Sequence, residues 1–159
     1  MGRPRGFDED QVVRAAAELF ALHSYDGTSV DDLVNHLGVH RGSLYKTFGS
    51  KRGLYLRSLR RHVDEDVAAL AQAVARAEDQ ADAVALVLAA GPKLGLLFQA
   101  MVERAPVDPE AAVETARALA LLDAATGAEG LTALALGQLL RRRGSGAMPQ
   151  QRSTSPVMA

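Results

Sequence analysis

The chain has no cysteine and no tryptophan, and its four phenylalanines and three tyrosines make up only 4% of 159 residues. Without cysteine there can be no disulfide and no thiolate metal site, and a reducing cytoplasm is the ordinary setting for such a sequence. No secretory leader is expected, because the opening MGRPRGFDED turns acidic where a leader needs an apolar run. Long apolar stretches are scarce as well. Ala83 to Val102 is apolar apart from Lys93 and Gln99, but Gly91-Pro92 interrupts it, which predicts buried helix rather than a membrane span. No Ser/His/Asp set, glycine-rich phosphate loop or nucleotide motif occurs, so neither an enzyme nor a bound cofactor is expected. His36 and His40 stand four apart, yet Gly38 breaks the helix between them and no third ligand is suitably spaced, so no metal site is expected. His23 and His62 read as partly exposed residues at helix ends or faces.

What the sequence has in quantity is alanine and leucine. Apolar residues are 48% and charged residues 23%, a balance that suits an all-α globular protein, and no repeat or strand pattern competes with it. The net charge of −1 conceals an uneven distribution. Residues 1–62 hold 10 Lys/Arg against 7 Asp/Glu, residues 63–140 hold 4 against 12, and residues 141–159 hold 4 against none. A basic head on an acidic body is the pattern of a protein whose head meets a polyanion.

Helix starts are legible in the first third. Asp8 is an N-cap with Gln11 three residues on, flanked by Phe7 and Val12 as a hydrophobic staple. Val12, Val13, Ala16, Leu19 and Phe20 then recur on one face, predicting a helix over about 9–23. After the Asp26-Gly27 turn, Thr28-Ser29-Val30-Asp31 reads as a capped start with Thr28 as cap. Val30, Leu33, Val34 and Leu37 make a two-turn stripe before a stop at Gly38. The next helix, about 40–47, keeps only Leu44 and Phe48 for the core. Gly49-Ser50 then ends it and caps a long helix from Lys51 to about Ala77. Further on, segments 82–90 and 93–104 flank Gly91-Pro92, Asp108-Pro109-Glu110 restarts a helix to about Ala125, and a last helix covers about 131–142. From residue 144 the composition is that of disorder.

Two short helices joined by a tight glycine turn form a helix-turn-helix, whose second helix lies in the DNA major groove with its first residues at the base edges. Arg41 can bind guanine O6 and N7 together, Ser43 can donate or accept, and Gly42 lets the backbone come close. Tyr45, Lys46 and Thr47 lie a turn further, within reach of phosphates or bases, and Lys51 starts a helix whose free N–H groups favour phosphate. Thr28 is expected to touch the DNA backbone as well as cap its helix.

The stretch GTSVDDLVNHLGVHRGSLYKTFGSKRGL, Gly27 to Leu54, closely resembles the DNA-binding domain of the TetR family of bacterial transcriptional regulators. Gly38, Tyr45, Phe48, Lys51 and Leu54 match in register, and the resemblance extends over about residues 8–60. It implies that Tyr45 and Lys51 anchor phosphates and that Arg41, Gly42 and Ser43 face bases of a double-stranded operator. It also implies a helical C-terminal domain that forms a homodimer and binds a small apolar or aromatic effector, with repression relieved by that ligand. His40 departs from the family pattern, which often has Ser or Thr as the cap there, and the basic Gly2–Arg5 resembles an arm that enters a minor groove. The organisation expected is a helix-turn-helix head over 1–50, a helical effector and dimerisation domain over 51–143, and a disordered tail over 144–159. Leu94, Phe98 and Met101, beside the Gly91-Pro92 break, are the candidate ligand contacts. Little chain remains after Arg143, so either the Leu131–Leu140 helix and its neighbour make a reduced dimer interface or the chain is a shortened member that dimerises poorly. The alternative is a shortened DNA-binding or interaction module without ligand sensing.

Overall fold

The computed structural model describes residues 7–127 and 129–145, and these contain helices and turns only. The Gly2–Arg5 arm and the tail beyond Ser145 lie outside the described residues. Helix α1 covers Glu9–His23, with Asp8 as its cap accepting from the N–H groups of Asp10 and Gln11. All five residues of its expected inner face, Val12, Val13, Ala16, Leu19 and Phe20, are buried. Helices α2 (Val30–Leu37) and α3 (Arg41–Phe48) form the helix-turn-helix. Gly38 ends α2 at φ 64°, in the left-handed region where a Cβ would cost about 1–2 kcal/mol.

Helix α4 (Lys51–His62) runs on through a wide turn at Val63–Val67, where the N–H of Ala68 reaches back to Val63, into α5 (Ala68–Val74). The rod expected from Lys51 therefore exists and carries a π-type bulge in its middle. Beyond it lie α6 (Gln80–Ala89), a 3₁₀ turn at Gly91–Leu94, and α7 (Gly95–Gln99), which continues as a second π-type turn over Ala100–Arg104. The Gly91-Pro92 break separates two helical segments at 62°, and no single helix among the described residues is long and apolar enough to cross a membrane. A Cβ at Gly91 would sit 2.6 Å from a methyl of Leu139, so a larger residue there would force that side chain to shift. Helices α8 (Pro109–Thr126) and α9 (Glu129–Ser145) complete the fold, and residues 144 and 145 belong to α9 rather than to a tail.

Two apolar clusters hold these elements. The first joins α1–α4 around Phe20, Leu33, Leu44 and Tyr55, and is closed by Leu96, Ala100 and Ala111 from the body. The second joins α5–α9 around Val67, Val87, Leu97 and Leu122. His62 lies between them and is 4% exposed, against the expectation of a partly exposed residue. Its Nδ1 is 2.9 Å from Asp66, and burial lowers its pKa despite that partner.

The seam between head and body is also ionic. Asp108 caps α8, accepts two bonds of 2.8 Å from Arg52 of α4, and receives Arg104 at 3.3 Å. The Arg52 guanidinium, ahead of every other influence, holds the Asp108 carboxyl well below the usual carboxylate range. A depressed folded pKa gives stability that is full above the unfolded value of about 3.9 and is lost as pH falls below it. Asp108→Asn is therefore expected to melt lower than the wild type at neutral pH, with the gap closing below about pH 4. Asp108→Ala, which also removes the cap, should cost about 1 kcal/mol more. Thermal melts of the three proteins between pH 3 and 7 check this, and a gap that does not change with pH would count against it.

Candidate nucleic-acid interface

Helix α3 leaves four of its eight residues exposed. Leu44 and Phe48 are its buried residues, Phe48 packing against Phe7 with ring centroids 6.1 Å apart. Arg41, Gly42 and Lys46 are exposed, Tyr45 is 40% exposed, and Ser43 and Thr47 are half-buried. The six α3 positions expected to face DNA thus lie together on one short helix, and no Cβ at Gly42 would meet another atom within 4 Å. Its cap, His40, makes no side-chain capping bond, consistent with its departure from the Ser/Thr pattern. Arg41 pairs with Asp31 of α2 in an exposed ion pair. Lys46 has no ion-pair partner among the described residues.

Thr28 needs correction. Its side chain is buried, and its hydroxyl donates to the Ser24 carbonyl at 2.6 Å, so it neither caps α2 nor faces solvent. The cap is Ser29, whose Oγ accepts from the N–H of Asp32 at 3.0 Å while the Asp32 carboxylate accepts from the N–H of Ser29 at 2.8 Å. The box is shifted one residue from the sequence reading. Ser29 and Asp32 fit the same pattern as Thr28 and Asp31, and only the chain path chooses between them.

Lys51 is placed differently from a freely solvated anchor. Its Nζ donates to the carbonyls of Tyr25 and Thr28 at 2.9 Å each and lies 4.1 Å from the Tyr25 ring centroid. It ties the loop between α1 and α2 to the start of α4, with one N–H beyond those two bonds.

The head is also less basic in effect than its sequence suggests. Arg52 pairs with Asp108 and Glu110, Arg57 with Glu9, Arg60 with Glu110 and Glu114, and Arg61 with Glu65. Many body acids are therefore counter-charges for α4, and the positive residues nearest the outer face of the helix-turn-helix are Arg41 and Lys46.

The candidate ligand contacts lie in the second cluster: Leu94 and Phe98 are buried and Met101 packs against them partly exposed. Leu94 also lines a cleft of about 360 Å³ between α5 and α6, with Leu70 and Leu86.

Residues 12–57, spanning α1 through the first half of α4, match the sequence pattern described as bacterial regulatory proteins, tetR family. Over these residues the chain is similar to the DNA-binding region of the TetR family. It is 32% identical over 121 residues to an uncharacterized helix-turn-helix-type transcriptional regulator of Bacillus subtilis, YezE, covering 70% of this chain and 62% of that protein. Over 70 residues it is 41% identical to the transcriptional repressor BdcR of Escherichia coli, covering 44% of this chain and 36% of that one. The chain thus spans less than two thirds of the length of either relative. The fold is shared with a TetR-family regulator from Agrobacterium tumefaciens, with a TM-score of 0.63 at 17% identity over 87% of this chain and 88% of that one. YezE and BdcR are both named as helix-turn-helix-type transcriptional regulators, BdcR as a repressor.

Proposed function

We propose that this chain is a TetR-family regulator that binds a double-stranded operator in the cytoplasm by laying α3 in the major groove. Arg41, Gly42 and Ser43 face base edges, while Tyr45, Lys46 and Thr47 hold phosphates and Lys51 offers its third N–H. The observation that carries the reading is α3 itself, which commits Leu44 and Phe48 to the core and leaves Arg41, Gly42, Tyr45 and Lys46 exposed. The head over 1–50 does the reading, and the body over 51–143 pairs two copies. Support for pairing comes from the outer face of α8, where Val113, Ala116, Ala120 and Ala124 are exposed and uncharged. The regulator acts as a repressor, as its relative BdcR is named, and a small apolar ligand near Leu94, Phe98 and Met101 releases it.

The test is enrichment of duplexes from a random pool by the intact chain, followed by titration of the enriched duplex over a range of salt. Arg41→Ala is expected to lose about 10- to 100-fold on that duplex and to relax preference at one base pair. Lys46→Ala should weaken every duplex alike and lower the salt slope by about one. Equal losses with unchanged preference in both would sink this division of roles.

A further inference from the structure

The loop between α1 and α2 is held from two sides, and one of them belongs to the body. Glu103, on the π-type turn after α7, accepts the N–H of Tyr25 on Oε2 at 2.8 Å and the N–H of Asp26 on Oε1 at 2.8 Å. Oε1 also accepts the Ser24 hydroxyl at 2.9 Å. The next residue, Arg104, places its guanidinium 4.4 Å from the Tyr25 ring centroid. From the other side, Lys51 takes the loop's carbonyls, at Tyr25 and Thr28. A carboxylate thus satisfies the loop's donors and an ammonium its acceptors. Between them, Ser24 is the one non-glycine residue at positive φ among the described residues, at 64°. Such a conformation persists where its surroundings over-determine it, and it is often found where a segment is set for function.

We infer that Glu103 is a positioning residue for DNA reading: it fixes the α1–α2 loop, and through it the angle at which α2 and α3 meet DNA. The inference rests on the DNA-binding reading above and extends it to a contact that lies outside the helix-turn-helix. Both oxygens are needed. A glutamine has one carbonyl oxygen, so it cannot accept from Tyr25 and Asp26 in the same way, and either the part-buried N–H of Tyr25 or the exposed N–H of Asp26 loses its partner. Because Glu103 sits on the turn that follows α7, a displacement of α7 within the body would withdraw it from the loop. The head would then loosen without any change in its own sequence contacts.

The experiment compares Glu103→Gln with Glu110→Gln in the full chain. Glu110 is a body acid as well, but it faces Arg52 and Arg60 rather than the loop. Amide hydrogen exchange is followed at Tyr25 and Asp26, and affinity is measured for the duplex enriched by the intact chain and for an unrelated duplex. Glu103→Gln is expected to speed exchange at one or both amides by roughly 10- to 100-fold, the range for a bond to a charged group. It should lower affinity for the enriched duplex by about tenfold while leaving the unrelated duplex unchanged, because phosphate contacts carry the latter. General destabilisation would lower both affinities together. Glu110→Gln should leave both amides as they are. Unchanged exchange in Glu103→Gln, or faster exchange with duplex preference intact, would overturn the inference. If the intact chain enriches no duplex, the DNA-binding reading fails and the positioning role with it, a failure visible before any substitution is made.

Discussion

Phe20→Ala is expected to cost the protein about 3–5 kcal/mol and to lower its melting temperature by roughly 10 °C or more. Six of the seven aromatic residues lie between positions 7 and 55, so the head's core rests on a few large side chains. Phe20 is at its centre and fully buried, edge-on to Tyr55 at 5.1 Å and stacked with Tyr25 at 6.1 Å. Tyr25 in turn meets Tyr55 at 5.0 Å and carries Lys51 and Arg104 near its ring. Removing Phe20 therefore opens a cavity and also takes away a wall against which the loop-holding tyrosine rests. Phe20→Leu, which keeps most of the volume, should cost markedly less. Circular dichroism melts of the two variants decide the matter, and a loss under about 1 kcal/mol for alanine would mean the cluster repacks around the gap.

The same cluster shows what a sequence can and cannot disclose. Helix α1 was legible because its five inner residues repeat at 3.6 spacing within one segment, and its cap sits next to it. The recognition helix was legible for the same reason: Leu44 and Phe48 are one turn apart, and the polar residues between them have no inward position to take. Neighbour relations were thus readable wherever they are local. Those not read span the chain. Lys51 reaches carbonyls 23 and 26 residues earlier, Arg52 reaches Asp108, and Glu103 reaches back nearly eighty residues to Ser24. None of these pairs has a spacing that distinguishes it from solvated surface charge. His62 departs from the expectation because α4 is buried well beyond its main stripe, at Tyr55, Leu56 and Ser58 as well as Leu54 and Leu59. The one-residue error at Thr28 has a different cause. Two overlapping capping boxes are available in sequence, and the bond from the Thr28 hydroxyl to the Ser24 carbonyl leaves Ser29 as the cap. The basic head was overestimated because counting charges along the chain cannot reveal that the α4 arginines and the body acids face each other.

On the pairing proposed through α8, Ala120→Glu is expected to leave a single DNA-binding head where the wild type presents two. Along α8, Glu114 and Arg117 point toward the rest of the same chain, pairing with Arg60 and Asp64, while Ala116, Ala120 and Ala124 remain on the exposed side with Val113, which is 64% exposed. Leu134 and Leu140 of α9 are exposed as well, at 53% and 44%. Small residues let two helices approach closely, and a glutamate on that face would bring two like charges into an apolar contact without counter-charges. In a dimer, once one head is bound, the second binds at an effective concentration set by the body, a gain of about 10²–10⁴ in apparent affinity for a duplex with two half-sites. Ala120→Glu should lose that gain and keep the affinity of the wild type for a single half-site. Ala120→Ser, small and uncharged, should keep both. Molar mass by light scattering at micromolar concentrations, run beside titrations with one- and two-half-site duplexes, separates the possibilities. A glutamate variant that stays dimeric would move the interface away from this face of α8. A wild type that is monomeric throughout would leave one head to act alone, and regulation by half-site spacing would have no physical basis.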